Sequence, residues 1–325
     1  MAQLEPAKPA LRPAGARAAG RPAQTGAGTS RPTRPTLRPP SWRPLAAMLA
    51  LVAAAAIWGA TYLVVKQAVT RMPVFDFLAW RFCAAAALLI AARPGAVRRL
   101  GAHGLRHGIL LGLALGAGYI TQAIGLQHTP AAVSGFLTGL FVVFTPVLSW
   151  LLLRRRLALS VWLGVLVAGA GLALITAGGF AVSVGELLSL TCAVFFALQI
   201  VAAGEWSPGR DPYALTVTEL ATVAVMCLAG ALASGRIGAP HGGGEWLAVA
   251  ITAVLASALG YTVQMWAQTW LTATQTAVIL TLEPVFAGIF AVAVGGERLG
   301  AAAMAGGVLV VTAMYLVQVR SSPER

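Results

Sequence analysis

The sequence predicts an all-α integral membrane protein with ten transmembrane helices in two inverted five-helix repeats, and three observations carry that prediction. Of 325 residues, 58% are apolar and only 10% charged, and the mean hydropathy is +0.80, far from the values of a soluble domain. The apolar residues gather into ten stretches, each near the roughly 20 residues that a spanning helix needs. The chain also repeats itself. A shift of 142 positions lays Leu140, Val143, Phe144, Arg156, Leu157 and Gly164 on Leu282, Val285, Phe286, Arg298, Leu299 and Gly306. The same shift carries Gly118, Tyr119 and Gln122 onto Gly260, Tyr261 and Gln264, so one Gly-Tyr-x-x-Gln signature stands in each half. Five spans per unit is an odd number, which makes the second unit enter the membrane from the opposite side.

Residues 1–43 are rich in Pro, Arg, Ala, Gly and Thr and nearly free of large apolar side chains. Such a segment cannot bury enough surface to fold and reads as a disordered cytoplasmic arm close to anionic lipid headgroups. Followed by Leu45 to Ala56 it mimics a secretory signal, but the apolar run continues to Val69 and is needed as the first helix of the repeat. The first repeat spans 45–177, with helices over 45–69, 74–92, 108–127, 131–153 and 157–177; the second spans 185–319, with helices over 185–206, 212–234, 246–268, 273–295 and 300–319.

Arginine and lysine set the orientation. With the N-terminus inside, the arm, the basic loop 93–107, Arg154 to Arg156, Arg210, Arg320 and Arg325 all face the cytoplasm, while only Arg71, Arg236 and Arg298 lie outside. Both termini are therefore expected to be cytoplasmic, in a multi-pass protein of the cell membrane. The formal charge of +13 is scattered over short loops and the arm, which speaks for topology and lipid contact and against nucleic acid.

Polar residues inside the apolar runs are the candidate functional groups. Glu283 and Pro284 sit near the middle of a spanning stretch, where a carboxylate costs roughly 2.5–3.5 kcal/mol and proline frees the carbonyl of Leu280. Ser134, Thr138, Thr145 and Ser149 recur at helical spacing in the fourth helix with Phe141, the repeat counterpart of Glu283. Thr272, Thr276 and Glu283 form the matching face of the ninth. Ser257, Tyr261, Gln264 and Gln268 line one face of the eighth, and Tyr119 and Gln122 one face of the third. Singly these read as interhelical hydrogen bonds, worth about 0.6 kcal/mol each; as four stripes related by the repeat they point to a shared central cavity. A shift of 138 lays Arg81 on Glu219, which suggests a structural charge pair across the repeat interface, or else a cargo or gating contact.

Other chemistry is not signalled. Cys83, Cys192 and Cys227 lie in apolar runs as small packing residues. His103 and His107 have ligand spacing but no carboxylate or cysteine beside them, so no metal is expected. There is no phosphate-binding Gly-x4-Gly-Lys motif, nucleophile elbow or zincin motif, and no cofactor is expected.

The motifs IWGATYLVVK, LAWRF, FLTGLFVVFTPVLSWLLL and LEPVFAGIFAVAVGGERL resemble the drug/metabolite transporter superfamily, in particular its EamA-type members, over residues 45–319. The family's most recognisable motif is matched by Glu283, Pro284, Gly296, Glu297, Arg298 and Leu299. The fourth helix departs from it, with Pro146 four residues beyond the position matching Pro284. The resemblance implies ten helices in two inverted repeats.

The expected function is that of a secondary active transporter, not an enzyme, exporting a small organic metabolite or drug-like compound by alternating access, with protons as a candidate coupling ion. The residues expected to contact cargo are Trp58, Tyr62, Tyr119, Gln122, Ser134, Thr138, Gln199, Tyr261, Gln264, Thr276 and Glu283. The competing readings are a membrane-embedded enzyme acting on a lipid or isoprenoid carrier, which needs catalytic groups converging at one depth, and a sensor or assembly protein, which needs no solvated midplane cavity.

Deletion of residues 1–40 is expected to leave membrane insertion and transport unchanged, because the arm lies outside both repeats; membrane fractionation and flux in liposomes check it, and loss of transport with normal insertion contradicts it.

Overall fold

A computed structural model describes residues 42–154, 159–175, 183–235 and 237–319. Almost all of the arm, and Arg155, Arg156, Arg236, Arg320 and Arg325 among the topology signals, lie outside the described residues. The described residues form α1 (Trp42–Val69), α2 (Val74–Ala92), α3 (Gly101–His128), α4 (Ala131–Gly139), α5 (Phe141–Leu153), α6 (Leu159–Ile175), α7 (Val184–Trp206), α8 (Pro212–Ala233), α9 (Gly243–Ile251), α10 (Gly260–Ala267), α11 (Ala273–Ile279), α12 (Leu282–Ala293) and α13 (Ala301–Val319). No strand occurs among them. Eight segments are long and apolar enough to cross a membrane, counting α4 with α5, α9 with α10, and α11 with α12 as single spans; α6 and α13 contain the shorter apolar stretches Trp162–Gly171 and Ala301–Ala313. The protein is a multi-pass membrane protein. Large apolar side chains such as Leu166, Leu151, Val225 and Val308 point outward, as lipid requires.

Three helices depart from the simple reading. The fourth and ninth spans are broken: α4 gives way to α5 at Leu140, and α11 to α12 at Leu280 and Thr281. Both breaks use tight turns in which an N–H reaches back three residues. Leu140 donates to Leu137 and Val143 to Leu140, and Thr281 donates to Val278 and Glu283 to Leu280. The Leu280 carbonyl is thus occupied by the Glu283 N–H (3.0 Å) rather than left free by Pro284, which sits in the first turn of α12 where a missing N–H does no harm. Between α9 and α10 the chain forms a π-helix, Thr252–Leu259, that apolar periodicity does not announce. Thr272, expected on the polar face of the ninth span, instead caps α11, accepting from the Gln275 N–H while the Gln275 side chain returns to the Thr272 N–H. The predicted loop 93–107 holds a short 3₁₀ turn, Ala96–Arg99, and the first turns of α3, since its polar residues extend that helix beyond the apolar run.

The helices pack in exchanging partners. α1 lies against α12 and α10, while α7 lies against α5 and α3; α2 faces α8, α4 faces α12, and α6 faces α13. Glycine sets the closest approaches. Gly108, Gly112 and Gly116 form a stripe on α3 that receives Thr218, Thr222 and Met226 of α8. A Cβ at Gly112 would lie 2.5 Å from both the Glu219 carbonyl oxygen and the Thr222 Cβ, leaving no room for any side chain.

Gly112→Val is therefore expected to push α3 from α8 and to lower stability by about 1–3 kcal/mol, seen as a drop in the thermal midpoint of the detergent-solubilised protein; the same change at Gly169, where no atom lies within 4 Å of an added Cβ, is the matched control.

Candidate functional site

The polar stripes converge on one central cavity. Its wall is formed by Trp58, Thr61, Tyr62 and Val65 of α1, Arg81 of α2, Leu115, Tyr119, Gln122 and Leu126 of α3, Phe141 of α5, Phe196, Gln199 and Ile200 of α7, Tyr261 and Gln264 of α10, Leu280, and Glu283 of α12. The free space is about 40 Å³, room for roughly three waters. Helix geometry explains the convergence. Tyr119 and Gln122 are three apart on α3, as are Tyr261 and Gln264 on α10, and each pair faces inward. The break before α12 brings Glu283 to the wall within the first helical turn.

Separate clusters of hydrogen bonds join these groups. Gln122 Nε2 donates to the Tyr62 hydroxyl (2.9 Å), which donates to Glu283 Oε1 (3.1 Å). The Tyr261 hydroxyl donates to that of Tyr119 (2.8 Å), joining two residues 142 positions apart in sequence. Arg81, 1% exposed, donates from Nε to Ser257 Oγ (2.8 Å) and from Nη2 to the Tyr119 hydroxyl (3.2 Å). Its guanidinium lies 4.5 Å from the Tyr119 ring centroid and 4.9 Å from that of Phe82. Gln264 donates to Gln199 (3.0 Å) and Gln268 (3.2 Å), and Gln199 donates to Glu219 Oε1 (2.7 Å). Trp58 Nε1 donates to the Ala256 carbonyl of the π-helix (2.7 Å) and its ring tilts over Tyr261 at 5.2 Å.

Arg81 and Glu219 stand on facing helices but do not form the charge pair read from the sequence. No nitrogen and oxygen of the two come within 4.0 Å; the arginine is held by Ser257 and Tyr119, and the glutamate by Gln199. The physical reason is direction: equal depth in symmetry-related helices does not aim two side chains at each other. Among the other expected cargo contacts, Trp58, Tyr62, Tyr119, Gln122, Gln199, Tyr261, Gln264 and Glu283 are on the cavity wall. Ser134, Thr138 and Thr276 are fully buried but off it; Ser134 instead meets Ser189 of α7 at 3.0 Å. Arg81, read from the sequence as a charge-pair partner or else a cargo or gating contact, is also on the wall, and sequence reasoning missed Thr61 and Phe196 there. A signal for both existed, since the 138 shift lays Trp58 on Phe196 and Thr61 on Gln199. His107 stacks on Trp206 at 4.3 Å, and no group of three His, Cys, Asp or Glu among the described residues is placed to hold a metal.

An ion pair stands at each end of the molecule. At the end where α1 terminates, Lys66 Nζ meets Glu297 Oε1 at 3.1 Å. Glu297 also accepts from the backbone N–H groups of Ala131 (2.8 Å) and Ala132 (3.1 Å), capping α4, whose own N-cap is Pro130. At the opposite end, Arg93 after α2 meets Asp211 before α8 at 2.9 Å, and the Tyr213 hydroxyl donates to the Leu89 carbonyl (2.6 Å).

Comparison with known proteins gives a consistent picture. The EamA-like transporter family matches the chain twice, over residues 45–177 and 183–319. An uncharacterized transporter of Archaeoglobus fulgidus is 31% identical over 297 residues, covering 85% of this chain and 87% of its own. A second uncharacterized transporter of that organism is 24% identical over 270 residues, covering 80% of this chain and 93% of its own. A solved crystal structure superposes with a TM-score of 0.63 at 21% identity, over 86% of this chain and 99% of that one, a likeness of fold.

The Glu297 cap has a pH signature. Burial by itself would push this carboxyl up, but the Ala131 and Ala132 N–H groups and the Lys66 ammonium outweigh burial and hold it below the usual carboxylate value. A lowered folded-state value stabilises above the ordinary glutamate range, and the contribution is lost as pH falls through the folded-state value. Glu297→Gln is expected to cost about 0.5–2 kcal/mol at neutral pH, with the difference in thermal midpoint from wild type shrinking as the pH is taken below that range; a difference independent of pH would assign Glu297 no charged role.

Proposed function

Because this chain belongs to the EamA-like transporter family and is a membrane transporter, we propose that it is a secondary active transporter exporting a small organic metabolite or drug-like compound across the cytoplasmic membrane by alternating access. The observation that carries this reading is the central polar cavity, walled by both halves of the chain and closed toward each end by a separate ion pair. With room for roughly three waters, the cavity is tighter than an organic cargo, so cargo enters when one end parts. Lys66 and Glu297 close one end, Arg93 and Asp211 the other. Releasing one pair while the other holds opens the cavity to one side only.

A ten-span arrangement of two inverted repeats, 45–177 and 185–319, supplies the symmetry that such a cycle uses. It is supported by the exchange of packing partners, in which the contacts of α1 with α12 and α10 have counterparts in those of α7 with α5 and α3. Lysine and arginine placement supports cytoplasmic termini, so that Arg93 and Asp211 form the inner closure. Aromatic and amide groups on the wall suit stacking and hydrogen bonding to a compact organic molecule. Counterflow of labelled metabolites in liposomes tests the reading directly, and protein that mediates no flux of any compound in the panel argues against it.

Glu283 is the proposed proton carrier, since it is the carboxyl on the cavity wall and can gain or lose a proton as the cavity opens to one side or the other. Glu283→Gln keeps the shape and the bond from Tyr62 but cannot titrate. It is expected to abolish accumulation driven by a pH gradient, at least tenfold below wild type, while cargo exchange at equal pH continues; accumulation with the wild-type pH dependence would exclude the role.

A further inference from the structure

We propose that Arg81 forms an anion subsite in the central cavity, so that the cargo is a small organic molecule bearing a carboxylate. This deepens the transporter reading above and rests on it for the word cargo, though not for the site itself.

Arg81 is 1% exposed and lies on the cavity wall, yet among the described residues no carboxylate oxygen lies within 4.0 Å of its nitrogens. A buried guanidinium normally has an anionic partner, because removing its charge from water without one is expensive. Neither Glu283 nor Glu219 reaches it. Glu283 accepts from Tyr62, and Glu219 accepts from Gln199 on Oε1 while its Oε2 has no partner among the described residues and lies beyond 4.0 Å from the guanidinium nitrogens. The groups that do hold Arg81 are neutral. Ser257 and the Tyr119 hydroxyl take Nε and one Nη2 hydrogen, and the Tyr119 and Phe82 rings lie beside the guanidinium. These contacts fix the plane of the fork and still leave Nη1 with no hydrogen-bond partner in the protein among the described residues. A planar donor pair, oriented in advance and unmatched, suits the two oxygens of a carboxylate. Trp58 and Phe196 of the same wall give the remainder of the molecule apolar and aromatic surface.

The test uses the full-length protein in lipid nanodiscs and a ligand set of one shape with three charges: phenylacetate, phenylacetamide and phenethylamine, with acetate and benzoate as smaller and stiffer acids. Affinity is read by equilibrium dialysis and by shift of the thermal midpoint. The acid is expected to bind roughly 10- to 100-fold more tightly than the amide. Arg81→Gln should bring the acid down to the amide, while Arg81→Lys, which keeps the charge and loses the fork, should retain part of the preference. Equal affinity for acid and amide in the wild type, preference for the amine, or no binding of any of the three acids overturns the proposal, and none of these outcomes depends on a variant that folds. An Arg81→Gln protein that keeps the acid preference overturns it as well. Liposome counterflow separates the two claims: an Arg81-dependent acid preference without flux keeps the anion site and removes the transporter reading, whereas flux of neutral compounds with no acid preference does the reverse.

Discussion

Two tyrosines related by the internal repeat touch: the Tyr261 hydroxyl donates to that of Tyr119 across 2.8 Å, and the rest of the centre is arranged around that contact. In lipid no water is available to satisfy a polar side chain, so polar groups carried by one half must be met by the other. Tyr119 accepts from Arg81 as well as Tyr261, and Arg81 reaches on to Ser257. At the centre the two halves therefore meet through a polar seam. A seam of hydrogen bonds can be remade around a cargo, whereas an interdigitated apolar core resists opening.

Helix irregularity is what brings these groups within reach. The breaks at Leu140 and at Leu280 begin α5 and α12, setting Phe141 and Glu283 on the wall of one cavity, an apolar ring and a carboxyl at repeat-related positions. The glycines of the repeated signature work in the same direction. A Cβ at Gly260 would fall 2.8 Å from Trp58 Nε1, and one at Gly118 would collide with the Phe196 ring, so each half admits the aromatic side chain that the other presents. Trp58 then reaches the Ala256 carbonyl, within the π-helix, where the backbone ladder is rearranged.

Much of this was legible in the sequence because lipid enforces simple rules. Apolar runs located the eight segments long enough to span, and the 142 shift paired Tyr119 with Tyr261, whose hydroxyls meet. Polar spacing picked out Gln122, Gln264 and Glu283, which line the central cavity. What escaped the reading depends on direction and on distance along the chain. Depth and symmetry matched Arg81 with Glu219, but side-chain aim gave each a different neighbour. Thr272 carried its own signal, a Gln three residues on, and that capping pattern outweighs its place in a polar stripe. Glu297 could not be understood locally at all, since the helix it caps begins 166 positions away.

The two closures are unlike, and the difference follows from which helix each acid serves. Asp211 caps its own helix, accepting from the N–H groups of Tyr213 and Ala214, so parting it from Arg93 leaves α8 capped. Glu297 caps a helix of the other half, so parting the Lys66 end strips α4 of two backbone hydrogen bonds together with the ion pair. The Arg93 pair is also the wetter one, with side chains 41% and 22% exposed against 29% and 15% for Lys66 and Glu297, and exposed pairs contribute only about 0–1 kcal/mol. On these grounds the Arg93 end is the easier to open, and in the proposed orientation it is the end from which an exporter loads. In the proposed cycle, opening the Lys66 end then calls for a compensating interaction inside the cavity, the part assigned there to a bound cargo.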